Sequence, residues 1–166
     1  MNADAFAEPL PIAAAAVSGA SAADAGELLV LQRCCWVEEA IANETLDIPA
    51  LHESLDDVRS WLVSWTAWCV RLDGRLIGAV RAIHVEATWE IGRLMVAPDL
   101  AGNGLGGWLL RFAESHAPPG VDALALFTGA KSRRNIAMYE RAGYRLSDHV
   151  EAPPGVVHLR KPVPPA

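Results

Sequence analysis

Leu94-Met-Val-Ala-Pro-Asp-Leu-Ala-Gly-Asn-Gly-Leu-Gly-Gly-Trp108 is the stretch on which the reading of this chain turns. It opens as a strand, Leu94 to Val96, and Pro98 then removes an amide and ends the ladder. Gly102, Gly104, Gly106 and Gly107 fall within six positions, and Trp108, Leu109, Phe112 and Ala113 follow at helical spacing. Strand, glycine loop and helix in that order make an anion site. Glycines turn the chain with positive φ and let a ligand approach the backbone, while the first helical amides and the helix dipole point at the anion.

Two other glycine-loop chemistries fit less well. A dinucleotide fingerprint belongs in a first strand–helix unit and is completed by a second half. Here the loop lies past the middle of the chain, Pro98 and Asp99 lengthen the turn, and no second half follows. No Lys-Ser or Lys-Thr comes after the glycines, which excludes a P-loop.

The run Val96-Ala-Pro-Asp-Leu-Ala-Gly-Asn-Gly-Leu-Gly106 resembles the acyl-CoA pyrophosphate loop of the GCN5-related N-acetyltransferases (GNAT). Asn135-Ile-Ala-Met-Tyr-Glu-Arg-Ala-Gly-Tyr144 is similar to the next segment of that family, and the two blocks cover about Glu90 to Leu146. One position departs: Ala101 stands where the family usually carries Arg or Gln, so a side-chain phosphate contact is lost or comes from Arg133 or Arg134. The resemblance implies a cofactor site made of Leu94, Met95 and Val96, then Ala101, Gly102, Asn103, Gly104, Leu105, Gly106 and Gly107, then Asn135 and Tyr139. It implies acetyl-CoA as co-substrate, no metal, and transfer of acetyl to a primary amine of a small molecule or peptide by direct attack. The other reading left open is a weak or inactive acyl-CoA-binding or interaction module of the same fold.

The remainder of the 166 residues fits one α/β domain with a mixed, mostly antiparallel sheet of six to seven strands, splayed at the glycine loop and flanked by about four helices. Residues 1–9 read as a disordered tail and 10–163 as the domain. Strands are expected at Leu10–Val17, Thr66–Leu72, Arg75–Val85, Thr88–Val96, Val121–Phe127, Tyr144–Ser147 and Val156–Val163, with Asp73-Gly74 as a hairpin turn. Helices are expected after caps at Ser21, Ser54 and Ser132 and from Gly104 to His116. Ile91 is out of phase with Leu94 and Val96, and a β-bulge near Gly92-Arg93 would restore the alternation.

Net charge −6 argues against a nucleic-acid partner and is compatible with a cationic one. Acidic residues crowd Glu38 to Asp57 against a lone Arg59, which would attract a cationic amine. Cys34, Cys35 and Cys69 suit neither a CxxC motif nor zinc spacing and read as reduced thiols of a cytoplasmic protein. No apolar run is long enough for a membrane span, and a monomer or homodimer is expected. Trp36, Trp61, Trp65 and Trp68 read as core.

Amine acetylation needs a base for the amine and an acid for the leaving thiolate. The resemblance makes Tyr139 the acid. Glu90, beside Trp89 on the strand leading into the loop, is the chosen base, because apolar surroundings would raise its pKa. His84 and Glu86 are second choices, and a water wire is the rival route.

Overall fold

The computed structural model describes residues 6–164. Seven strands form one sheet in the order β1-β2-β3-β4-β5-β7-β6. They are β1 (Ala16–Gly19), β2 (Thr66–Leu72), β3 (Arg75–Val85), β4 (Thr88–Val96), β5 (Ala123–Gly129), β6 (Arg145–Leu146) and β7 (Val156–Pro162). The helices are α1 (Ala25–Asn43), α2 (Pro49–His52), α3 (Leu55–Ser64), α4 (Leu105–Ser115) and α5 (Arg133–Arg141), one more than expected because Pro49 opens the short α2. Only β4 and β5 run parallel; every other neighbouring pair is antiparallel.

The caps form as the sequence predicts at two of three sites. Ser21 and Ser54 close capping boxes with Asp24 and Asp57. Ser132 stands at the N-cap of α5 but makes no cap bond, because its hydroxyl is used elsewhere. The Asp73-Gly74 turn joins β2 to β3, with both residues at positive φ. The first strand is shorter than expected. A turn in which the Ala15 amide bonds Ile12 O, and positive φ at Ala14, keep residues 10–15 out of the sheet. Residues 1–5 of the expected disordered tail lie outside the described residues, but the rest of it is placed. Phe6 packs edge-on against Trp108 and Phe112 of α4, and Glu8 pairs with Arg111.

The two sheet faces follow from alternation. Trp68, Val80 and Trp89 face α4: Trp68 packs on Phe112, and Trp89 Nε1 donates to Ala113 O at 2.9 Å. Gly78 lies beneath Leu105 and Leu109 of α4, where a Cβ would crowd Leu105 at 3.0 Å and Leu109 at 3.2 Å. The alternate residues, including Arg81 and Glu90, face α1 and α3. The bulge is present. Ala79 pairs with Met95 and Arg81 with Gly92, so Arg93 and Leu94 together oppose Val80, with Arg93 at φ 47°. This brings Ile91, opposite Ala82, and Val96, opposite Gly78, onto the same face.

Candidate active site

The parallel pairing of β4 and β5 lasts three residues, Thr88–Glu90 against Ala123–Ala125, and then the strands part. The bulge at Arg93-Leu94 follows three residues further along β4. Only the first part of β5 meets the expectation of a strand buried on both faces: Ala123 to Leu126 are buried, whereas Phe127 is 40% exposed. The split opens a cleft of about 1210 Å³. Typical ligand pockets are roughly 300–1,000 Å³, so there is room for a long cofactor and an acceptor together.

The glycine loop forms one mouth of this cleft. Gly102 and Gly104 take positive φ, 85° and 81°, a conformation L-residues avoid. Gly104 is the N-cap of α4 and brings no side chain to the cap, and the first turn carries no acidic residue. The amides of Leu105, Gly106 and Gly107 therefore keep the free donors of any helix start, aimed along the dipole. Ala101 is exposed and contributes no cation. Arg133 and Arg134, at the start of α5, line the same cleft and form no ion pair among the described residues. These features fit an acyl-CoA: free amides for the pyrophosphate, rim arginines for its charge, and the parted β4 and β5 edges for its arm.

Of the expected cofactor residues, Leu94, Val96, Ala101, Gly102, Gly104, Leu105, Gly106, Gly107, Asn135 and Tyr139 line the cleft. Met95 is buried beside it on the sheet, and the Asn103 carboxamide turns back to donate to Leu100 O. Asn135 does not point a free amide at the cleft. Its Nδ2 donates to Glu39 Oε1 of α1 at 2.7 Å, which orients α5. Ser132 Oγ donates to the same carboxylate, and Asn43 Nδ2 donates to Ser132 Oγ at 2.9 Å.

Both expected catalytic residues reach the cleft. Glu90 is half-buried at the apex of the split, and burial raises its pKa with no charged partner opposing. Tyr139 is 8% exposed; burial first, then the charge of Glu39, pushes its phenol well above the usual range, so it holds its proton at neutral pH. His84 and Glu86, the second-choice bases, are exposed on the outer end of the β3–β4 hairpin and do not line the cleft.

Several cleft residues were missed by the sequence reading. Trp36 and Trp65, expected in the core, are only half-buried and line the cleft. Arg81 lies over Trp61 and Trp65, 4.6 Å and 4.1 Å from the ring centroids, and Arg93 lies 5.3 Å from that of Trp36. The signal was available: Arg81 interrupts the apolar run Leu76 to Ile83 on a strand otherwise built for the core. Cys35 also lines the cleft, with its thiol donating to Val96 O and pushed up to about 11 by burial. The acidic crowd is largely engaged: Glu44 pairs with Lys131, Glu53 with Arg93 and Asp56 with Arg59, and Asp57 completes a cap. Among the described residues no group of three His, Cys, Asp or Glu is arranged to hold a metal, and no helix is long and apolar enough to cross a membrane.

A sheet parted after one parallel pairing, with a glycine loop and a free helix start at its mouth, defines an acyl-CoA transferase fold. Residues 31–144 match the acetyltransferase (GNAT) family, and the chain belongs to it. Solved structures agree on the fold. The PaiA N-acetyltransferase of Thermoplasma acidophilum, determined in complex with coenzyme A, superposes with TM-score 0.74 at 14% identity, covering 90% of this chain and 99% of that one. An acetyltransferase from Streptococcus agalactiae gives 0.73 at 17% identity, covering 92% and 100%. The UPF0157 protein YqkA of Bacillus subtilis is 26% identical over 133 residues. That match takes in 80% of this chain but 38% of YqkA, so the chain spans well under half of that relative.

Proposed function

We propose that this chain is an acetyl-CoA-dependent N-acetyltransferase that acts on a primary amine of a small molecule or peptide by direct attack. The observation that carries this reading is the juxtaposition of the Gly102–Gly107 loop and free α4 amides with the β4–β5 split. The coenzyme A complex of the Thermoplasma protein of like fold supports it. The three free cysteines suit a reducing, cytoplasmic setting.

Bound acetyl-CoA would supply the acetyl group as a thioester. The loop amides and the α4 dipole would hold the pyrophosphate, with Arg133 and Arg134 adding the charge that Ala101 does not. Glu90 takes a proton from the entering ammonium, which frees the nitrogen lone pair. The amine nitrogen then bonds the acyl carbon as the carbon–sulfur bond breaks. Tyr139 gives its proton to the departing sulfur and recovers one from the acylated nitrogen through water. The balance is one ammonium and one thioester in, one amide, one thiol and one proton out.

The test is thiol release from acetyl-CoA against a panel of amines, with the acetylated product identified by mass spectrometry. Amine-dependent thiol release with matching product is expected. Tight CoA binding without transfer to any amine would make the chain a binding module instead.

A further inference from the structure

Arg81 is an unusual group for its position. It stands mid-strand on β3, facing α3, with its guanidinium over the rings of Trp61 and Trp65. Its Nε and Nη1 are sealed from solvent and have no hydrogen-bond partner among the described residues. Burial, aided by the charge of Arg93, lowers its pKa to about 10, so it is still a cation at neutral pH. Glu53 is the nearby carboxylate but is already engaged, accepting from Arg93 Nη2 at 2.6 Å and Gln32 Nε2 at 2.7 Å. Arg93 and Glu53 cancel, which leaves Arg81 as one uncompensated, desolvated positive charge lining the cleft. A half-desolvated, unpaired cation is costly to a fold, and indole faces offset only part of that cost.

The room for a partner is beside it. Gly92 lies directly across the ladder from Arg81 with the Trp65 ring packed over it, and the open space is the cleft that Arg81, Gly92 and Glu90 all line. Two residues along β4, on the same face, is Glu90, also half-buried and without a charged partner among the described residues. Diagonal neighbours across an antiparallel pair stand roughly 7–8 Å apart. One unpaired cation and one unpaired carboxylate lining the same cleft are complementary to a molecule bearing both an amine and an anion.

Resting on the transferase reading above, we infer that the acceptor is an amino acid or amino-acid-like amine, its carboxylate held by Arg81 and its amine presented to Glu90. A carboxylate suits the site better than a phosphate, since it carries the single negative charge that Arg81 can neutralise and can accept from Nη2, which is not one of the two sealed nitrogens. The acceptor is then a zwitterion, not a simple cation, and Arg81 is a specificity-determining residue.

Matched acceptors test this: leucine against 3-methylbutylamine and leucinamide, phenylalanine against phenethylamine, with phosphoethanolamine alongside. The wild-type protein should favour the carboxylate-bearing member of each pair in kcat/KM by roughly 10- to 100-fold, the range of a hydrogen bond to a charged group, with the difference mainly in KM. Arg81→Met keeps the stem between the indoles and removes the charge, so the preference should collapse towards unity; Arg81→Lys should restore part of it. CoA affinity, measured by calorimetry, separates loss of acceptor recognition from loss of fold. Equal rates within the pairs, a preference that persists in Arg81→Met, or a preference for phosphoethanolamine would each overturn the inference and leave the transferase reading standing. No product from any amine would overturn that reading and the inference together. If Arg81→Met fails to fold, the wild-type comparison decides alone.

Discussion

The carboxamide of Asn43 sits against the backbone of Gly129, so close that a Cβ on residue 129 would overlap Asn43 Nδ2. Asn43 is the last residue of α1, and Gly129 is the last residue of β5, where the strand leaves the cleft. From this position Asn43 accepts from the Lys131 amide at 3.0 Å and donates to Ser132 Oγ, so it sets how α1 approaches the start of α5. Gly129→Ala should expel the carboxamide and cost roughly 1–3 kcal/mol, through overpacking and unmet hydrogen bonds. In an Asn43→Ala background the same change should cost less, because the obstacle is gone. Urea unfolding of the four variants checks this; equal costs in the two backgrounds would refute the relationship.

Gly104→Val addresses the cofactor loop. Valine at φ 81° is strained, and its branches would crowd the helix-start amides. CoA affinity should fall at least about tenfold, an effect of the order of 1.4 kcal/mol. Gly120→Val is the control, because it carries similar strain at φ 91° but lies away from the cleft. It should lose stability and keep CoA. Calorimetric titration of both variants distinguishes lost binding from general strain.

The two tyrosines that close the family segment should separate cleanly. Tyr139 and Tyr144 meet edge-on, their ring centroids 6.1 Å apart. Tyr144 is wholly buried, and its hydroxyl donates to Glu114 at 2.9 Å, a carboxylate that also holds Lys161. Tyr144→Phe should cost about 1 kcal/mol of stability and leave turnover nearly intact. Tyr139→Phe should lower kcat by roughly 10- to 1,000-fold while CoA binding and stability hold. Normal turnover in Tyr139→Phe would make that residue structural only.

Much of the architecture was readable from local chemistry. Serine caps with acid three residues on, an Asp-Gly turn between alternating runs, and a proline-stopped strand before glycines are short-range signals, and their elements formed within a residue or two of expectation. The bulge was legible because Ile91 broke a period of two. What escaped was long-range. Residues 10–15 look like a strand by composition, but Pro11 and a positive φ at Ala14 turn the chain instead. Trp36 and Trp65 look like core residues, and only the splitting of β4 from β5, a tertiary event, exposes them to a cleft. That Asn135 donates to Glu39, 96 residues away, could not be read from a helix motif.

Glu90 offers the sharpest test, because its two roles predict opposite signs. Burial raises its pKa above the ordinary glutamate value, so the folded protein holds this proton to a higher pH than the unfolded chain does. Between those two pKa values the native state binds more protons, and stability falls as pH rises through the window. Above it, Glu90 is a half-desolvated charge without a cationic partner. Glu90→Gln should therefore make the protein more stable than the parent at neutral pH. The effect on catalysis should run the other way. Only the ionised carboxylate can take the amine's proton, so kcat/KM should drop as pH falls through a limb lying above the usual carboxylate range. Glu90→Gln should remove that limb and lower the rate. A variant that is more stable yet slower, and flat where the parent slopes, identifies a group kept for chemistry at the expense of the fold. If Glu90→Gln is more stable and equally fast, with the acid limb unchanged, the proton leaves by a water route and Glu90 is not the base.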